Sequence, residues 1–257
     1  MRLSGHSRAL RAVVLAWAIV WFGPGFAAGT PVTSGAPDAA VSAEPFGLVA
    51  ARLSDGGLLA KWQGVQRRLE DEMVQLALCE GDRERCASPA ALQFLTIVDA
   101  AKARDGRARL GEINRAINFA IRPMSDLAQY GEIDVWSSPL ASLARGAGDC
   151  EDYAIAKFVA LSRAGLSPDD LRIVIMRDTI RGEDHAVAAA RLDGHWLTLD
   201  NRRLAMIEDA QVRNYQPTFV IDRDDVKRYE EAPAHVLADR HLVSQATIPS
   251  GIATSPM

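Results

Sequence analysis

The sequence predicts an α+β domain: amphipathic helices first, then one buried helix beginning at Cys150, packed on an antiparallel sheet. Three observations predict it. Apolar residues recur at helical spacing from Leu59 to Ile121. The stretch Tyr153 to Leu161 is apolar nearly all round, as in a helix at the centre of a domain. After it come β-rich runs, two of them flanking Asp193-Gly194, a strong two-residue hairpin signal.

The chain's 257 residues suffice for one sizeable domain, and 48% hydrophobic with 24% charged residues is ordinary globular chemistry. A net charge of -4, with no concentrated basic surface, argues against a nucleic-acid partner. Arg2, Arg8 and Arg11 precede an apolar run, Ala12 to Phe22, and small residues follow at Ala27, Ala28 and Gly29. That order reads as a secretory signal peptide over residues 1–28. The run is short for a bilayer span of about 20 residues, and no second one is longer. No stable membrane insertion is therefore expected once the signal is cleaved. Residues 29–45, rich in Pro, Ser, Ala and Gly, read as a flexible lead-in. The domain is assigned to residues 46–230, with a helical part to about 145 and an α+β part from 146, and residues 231–257 to a poorly ordered tail.

Within the helical part, Leu59, Trp62, Val65, Leu69, Met73 and Leu76 mark the first helix. Ser88-Pro89 supplies an N-cap and a first-turn proline for the second, which turns Leu92, Leu95 and Val98 inward. Leu110, Ile113, Ile117 and Ile121 mark a third. Gly146 to Asp149 reads as a loop ending in an N-cap, and Gly165 with Ser167-Pro168 ends the buried helix. Strands are expected at Leu171 to Met176, His185 to Arg191, His195 to Leu199 and Thr218 to Ile221.

Three cysteines remain to be placed. Cys79 and Cys86 flank a short charged loop and are the natural pair, a disulfide clipping two helices together. Cys150 is left over. An inert buried thiol is the ordinary alternative, but Cys150 falls in the first turn of a helix. There unpaired N–H groups and the helix dipole favour the thiolate, which is the nucleophile, and the same N–H groups can stabilise an oxyanion.

The hairpin selects the base. With Asp193-Gly194 as the turn, Leu192 faces His195 and Asp200 falls opposite Val187. His185 shares Val187's face, so His185 and Asp200 become diagonal neighbours within side-chain reach, while His195 lies on the other face. Cys150, His185 and Asp200 thus have the parts of a nucleophilic triad: thiol, base and orienting acid. Asp149, Glu151 and Asp152 crowd the thiol, and carboxylates raise a thiol's pKa. Capping of the first helical turn accounts for such acids in part. A bound Ca²⁺, which takes hard oxygen ligands, would account for them and reverse the local electrostatics.

The segment Gly148-Asp149-Cys150-Glu151-Asp152-Tyr153-Ala154-Ile155-Ala156-Lys157, followed by Asp184-His185-Ala186-Val187 and Leu197-Thr198-Leu199-Asp200-Asn201, resembles the bacterial transglutaminase-like cysteine proteinases. The likeness runs from about Trp62 to Ile221 and takes in Asp134-Val135-Trp136 and the Cys79/Cys86 pair. It implies a papain-like, transglutaminase-like core and a calcium-dependent periplasmic endopeptidase. The implied substrate is a large surface adhesin, cut near its N-terminus and so released from the outer membrane, which regulates biofilm. The implied partner is an inner-membrane cyclic di-GMP receptor that sequesters the protease. By the same resemblance Cys150, His185 and Asp200 are catalytic, Asp149 and Glu151 bind calcium with Asp152 a weaker candidate, and Trp136 either lines the site or is core. Two other readings use the same residues: a transglutaminase-type acyltransferase that delivers to an amine instead of water, and a non-catalytic binding module.

Overall fold

Apolar residues three and four apart make the first half of the domain helical. The structure is a computed structural model that describes residues 44–230, so the expectations for the signal segment, the lead-in up to residue 43 and the tail lie outside the described residues. α1 (Gly57–Gly81) buries Trp62, Val65, Leu76 and Cys79. α2 (Pro89–Lys102) starts as predicted: the Ser88 hydroxyl accepts from the Ala91 amide, with Pro89 in the first turn. α3 (Gly106–Ala120) buries Leu110, Ile113 and Ile117. The Cys79–Cys86 disulfide joins the end of α1 to the approach of α2. Periodicity does not reveal two short helices, α4 (Asp126–Tyr130) and α5 (Pro139–Arg145). The start of α5 is capped from a distance, because Glu72 on α1 accepts from the amides of Leu140 and Ala141.

α6 (Cys150–Arg163) is the centre of the molecule, buried continuously from Asp152 to Leu161. It lies on a seven-stranded antiparallel sheet in the order β1-β9-β8-β4-β5-β6-β7. Those strands are β1 (Ala50–Arg52), β4 (Leu171–Asp178), β5 (Glu183–Leu192), β6 (His195–Leu199), β7 (Ile207–Glu208), β8 (Tyr215–Ile221) and β9 (Val226–Tyr229). The remaining two, β2 (Arg122–Pro123) and β3 (Ala147–Gly148), form a small parallel pair. The stretch read as a loop before Cys150 is therefore tied by β3 to the end of α3.

The β5–β6 register is the one the turn dictates, Leu192↔His195 through Ala188↔Leu199. Asp193 and Gly194 both take positive φ, 51° and 81°, as the favoured two-residue hairpin turn demands. Alternation along β5 sends Ala186, Ala188 and Ala190 into the main core with α6, and Val187 and Ala189 into a second cluster behind the sheet with Met176, Trp196 and Val220. Small residues on the α6 side let helix and strand approach closely.

Phe46 and Tyr229 close the second cluster. Glu44 and Pro45, read from composition as the end of the lead-in, belong to the domain, since Glu44 bonds Arg172 and Lys227 and Pro45 is buried. Burial alone would raise the Glu44 pKa, but hydrogen bonds and charge from Arg172 and Lys227 outweigh it and hold the carboxyl below its ordinary value. A lowered carboxylate pKa stabilises the fold above the unfolded-state value and loses that stabilisation as pH falls through the folded one. Glu44→Gln leaves the buried Arg172 guanidinium short of a partner and should cost about 3 kcal/mol at pH 7. Urea unfolding checks this, and the gap between variant and parent should narrow as pH falls below the ordinary glutamate range and through the lowered pKa of folded Glu44.

Candidate active site

Cys150 is the free cysteine of the described residues and is half-buried. Asp149 occupies the N-cap position of α6 with extended backbone, but its carboxylate makes no capping hydrogen bond. The Cys150 thiol donates to Glu151 Oε2 at 3.0 Å, and the Ala186 amide lies toward the sulfur and favours its thiolate. Burial first, then the Glu151 carboxylate, push this thiol far above its ordinary value. Ala186 follows His185 on β5 and lies beyond the last β5–β6 rung, Ala188↔Leu199, so the sulfur sits where β6 leaves β5 uncovered.

At that same corner His185 Nε2 meets Asp200 Oδ1 at 2.9 Å, both residues being buried. Burial would raise the Asp200 pKa, but His185, the Arg202 amide and the Lys157 ammonium together hold it low. An ionised carboxylate only accepts hydrogen bonds, so Nε2–H is the donor to Asp200 and Nδ1 is the ring nitrogen left unengaged by it. Nδ1 is buried and has no hydrogen-bond partner. Thiol and imidazole are not hydrogen-bonded to each other, because the thiol is turned to Glu151. Lys157 is fully buried on α6 and donates to the Leu199 carbonyl at 3.1 Å, and burial pulls its pKa down to about 7. Asn118 on α3 donates to the Asp200 carbonyl, fixing the chain as it leaves β6.

The acids around Cys150 form a built cluster. One ligand oxygen each from Asp126, Asp149 and Asp152 lies within 4.8 Å of the others. Asp126 and Asp152 are pinned by one oxygen, which accepts from the amides of Val135 and Ser137 respectively. The other oxygens, Asp126 Oδ1 and Asp152 Oδ2, are buried without a partner, as is Asp149 Oδ1. Burial first, with repulsion from Glu151 added in each case, raises all three pKa values, that of Asp149 to about 9 and that of Asp152 to about 6. Converging, desolvated carboxylate oxygens without donors fit a hard divalent cation. Glu151 interacts electrostatically with each of the three, but its own carboxylate is engaged by the thiol. Asp152, the weaker sequence candidate, is thus in the cluster and Glu151 at its edge. Asp126 carried no sequence signal.

Gly148 is required by this packing. A Cβ there would meet Cβ and Oδ2 of Asp152 at 2.8 Å. Gly148→Ala should therefore cost about 1–3 kcal/mol and weaken cation binding by displacing Asp152, both readable from melting curves with and without calcium.

The remaining sequence candidates separate cleanly. The His195 side chain is 71% exposed, with its nearest acid Glu208 at 4.0 Å, and it takes no part in the site. Trp136 is core, buried with its Nε1–H on Asp134. Tyr215, absent from the sequence reading, contacts both His185 and Asp200.

The sequence model of a family described as bacterial transglutaminase-like cysteine proteinase matches residues 71–225. No curated protein sequence matches. Solved structures that resemble the fold include Legionella pneumophila LapG at 20% identity, over 61% of this chain and 87% of that one, with a TM-score of 0.49. Calcium-bound LapG from the same organism aligns at 21% identity over 59% and 89%, with a TM-score of 0.49. EGTA-treated LapG aligns at 20% over 61% and 87%, also with a TM-score of 0.49.

Proposed function

The chain belongs to the bacterial transglutaminase-like cysteine proteinases, and from that premise we propose that it is an exported, calcium-dependent endopeptidase whose active centre is Cys150, His185 and Asp200. One observation carries the reading: a buried imidazole whose Nε2–H is committed to an ionised aspartate, with Nδ1 free, at the corner of the sheet that also receives the free thiol.

In this reading the Cys150 thiol leaves Glu151 and gives its proton to His185 Nδ1. The sulfur then attacks the scissile carbonyl carbon, forming the C–S bond. Asp200 holds the imidazole in the required tautomer and stabilises the imidazolium. As the C–N bond breaks, the imidazolium returns its proton to the leaving amine. Water, deprotonated by the same nitrogen, hydrolyses the thioester to a carboxylate and the free thiol. Main-chain N–H groups in the first turn of α6 would bind the oxyanion. Asp126, Asp149 and Asp152 would hold the cation, with Glu151 beside them. When bound, it supplies positive charge that offsets the carboxylates now keeping the thiol protonated.

Export rests on the N-terminal pattern of basic, apolar and small residues and on the Cys79–Cys86 disulfide, which persists in an oxidising compartment such as the periplasm. Among the described residues no helix is long and apolar enough to cross a membrane. By the family resemblance, the substrate is a large surface adhesin cut near its N-terminus, with release from the outer membrane regulating biofilm, and a cyclic di-GMP receptor of the inner membrane is the sequestering partner. The test is incubation of the protein and calcium with N-terminal fragments of large exported surface proteins plus a labelled primary amine. Two fragments with a free carboxylate at the cut support the reading. Amine incorporation without cleavage would make the protein an acyltransferase instead.

A further inference from the structure

We propose that Tyr215 is a positioning residue of this active centre: its hydroxyl fixes the Asp200 carboxylate and its ring holds the His185 imidazole. The inference rests on the assignment of Cys150, His185 and Asp200 above and adds a residue that the chemistry of those three does not require.

Tyr215 opens β8 and pairs with Asp178 on β4, while His185 pairs with Met176 on the other side of β4. Residues 176 and 178 share a face, so tyrosine and histidine rise on the same side of the sheet, one strand apart. Their ring centroids are 5.4 Å apart at 48°. The half-buried phenol ring lies against an imidazole that is 1% exposed, and so restricts both its rotation and the access of water.

The hydroxyl completes the coordination of the acid. Asp200 Oδ1 accepts from His185 Nε2 and from the Arg202 amide, each at 2.9 Å, and Oδ2 accepts from the Tyr215 hydroxyl at 3.2 Å. A carboxylate held by one oxygen can still swing about its Cβ–Cγ bond; with both oxygens held, the one facing the imidazole stays in the ring plane. The direction of the phenol proton is also set. An ionised carboxylate can only accept, so the hydroxyl's proton is directed to Asp200 Oδ2, and the Arg202 guanidinium interacts electrostatically with the phenol. Arg202 is in turn clamped by Asp178 Oδ2 at 3.0 Å and by Glu183. An anchored network thus joins Asp178, Arg202, Asp200 and His185, with Tyr215 holding the second oxygen of Asp200.

Tyr215→Phe removes the hydroxyl and keeps the ring contact, so folding is not at stake. With the other two cysteines in a disulfide, Cys150 is the site of iodoacetamide alkylation, which intact-mass spectrometry follows without a substrate. In calcium at constant pH, Tyr215→Phe should slow alkylation about tenfold, the loss expected for one hydrogen bond to a charged group. In an Asp200→Ala background it should slow it no further, because the hydroxyl acts only through that carboxylate. The downfield proton resonance of His185 Nε2–H should also shift. An unchanged rate, an equal fold loss in the Asp200→Ala background, or an unshifted resonance each overturns the inference. His185→Ala alkylating at the parent rate would instead overturn the active-centre assignment itself.

Discussion

Cys150→Ala protein is expected to fold like the parent and to cleave no substrate, a loss of at least about 10⁴-fold in kcat. The substitution removes one sulfur from a half-buried position at a helix start and leaves alanine, the best helix former, so little stability is at risk. Activity has no such reserve, since the other sulfurs of the cysteines are joined in the Cys79–Cys86 bridge. His185→Ala should fall to a comparable floor, because thiol and base act as one unit and their losses do not add. His195→Ala is the control: its exposed ring approaches only Glu208, and activity should be unchanged. Cleavage assays on surface-protein fragments measure all three. Residual cleavage by Cys150→Ala, with the cut at the same bond, would remove the nucleophile from the proposal.

That contrast between two histidines was legible in the sequence for a physical reason. A two-residue turn fixes the strand register, and a period of two then fixes which residues share a face. Asp193-Gly194 was therefore enough to pair His185 with Asp200. The helices were legible where their apolar faces are long, as in α1 and α3, and not where they are short. α4 is five residues and buries Asp126, a residue that apolar periodicity cannot find. α5 carries Ser138-Pro139, the same start signal as Ser88-Pro89, and could have been read.

Residues brought to the site by long-range pairing were beyond reach. Asp126 reaches Asp149 only because β2 pairs with β3 and because Val135 and Ser137 are laid over the acids. Tyr215 lies ahead of the predicted strand start at Thr218, with Pro217 between, and its pairing with β4 crosses a register shift between Ile175 and Met176. No local pattern encodes that shift. The alternation that separates Ala186 from His185 was legible. That the sulfur would meet the strand through the Ala186 amide depends on where β6 stops, which the sequence does not state.

The second large effect concerns the acids. Adding calcium to chelator-stripped protein at about 100 times its Kd should stabilise the fold by about 2.7 kcal/mol, raising Tm by roughly 5–10 °C for a domain of this size. Three buried carboxylate oxygens without donors are the cause: each is a desolvated acceptor that the apo fold leaves unpaid, and a cation satisfies all three at once. Asp126→Asn is the informative substitution, because it keeps shape and the Val135 contact while removing one of the converging charges. It should lower calcium affinity by an order of magnitude or more, measured by calorimetry, and shrink the calcium-induced Tm rise accordingly. Asp149→Asn should abolish the rise at little cost to the apo protein, since burial and the neighbouring Glu151 carboxylate, which push that carboxyl up to about 9, disfavour its charged form when no cation is present. If Asp126→Asn binds calcium as tightly as the parent, the cation sits elsewhere, and the crowding of acids beside Cys150 must be accounted for by protonation alone.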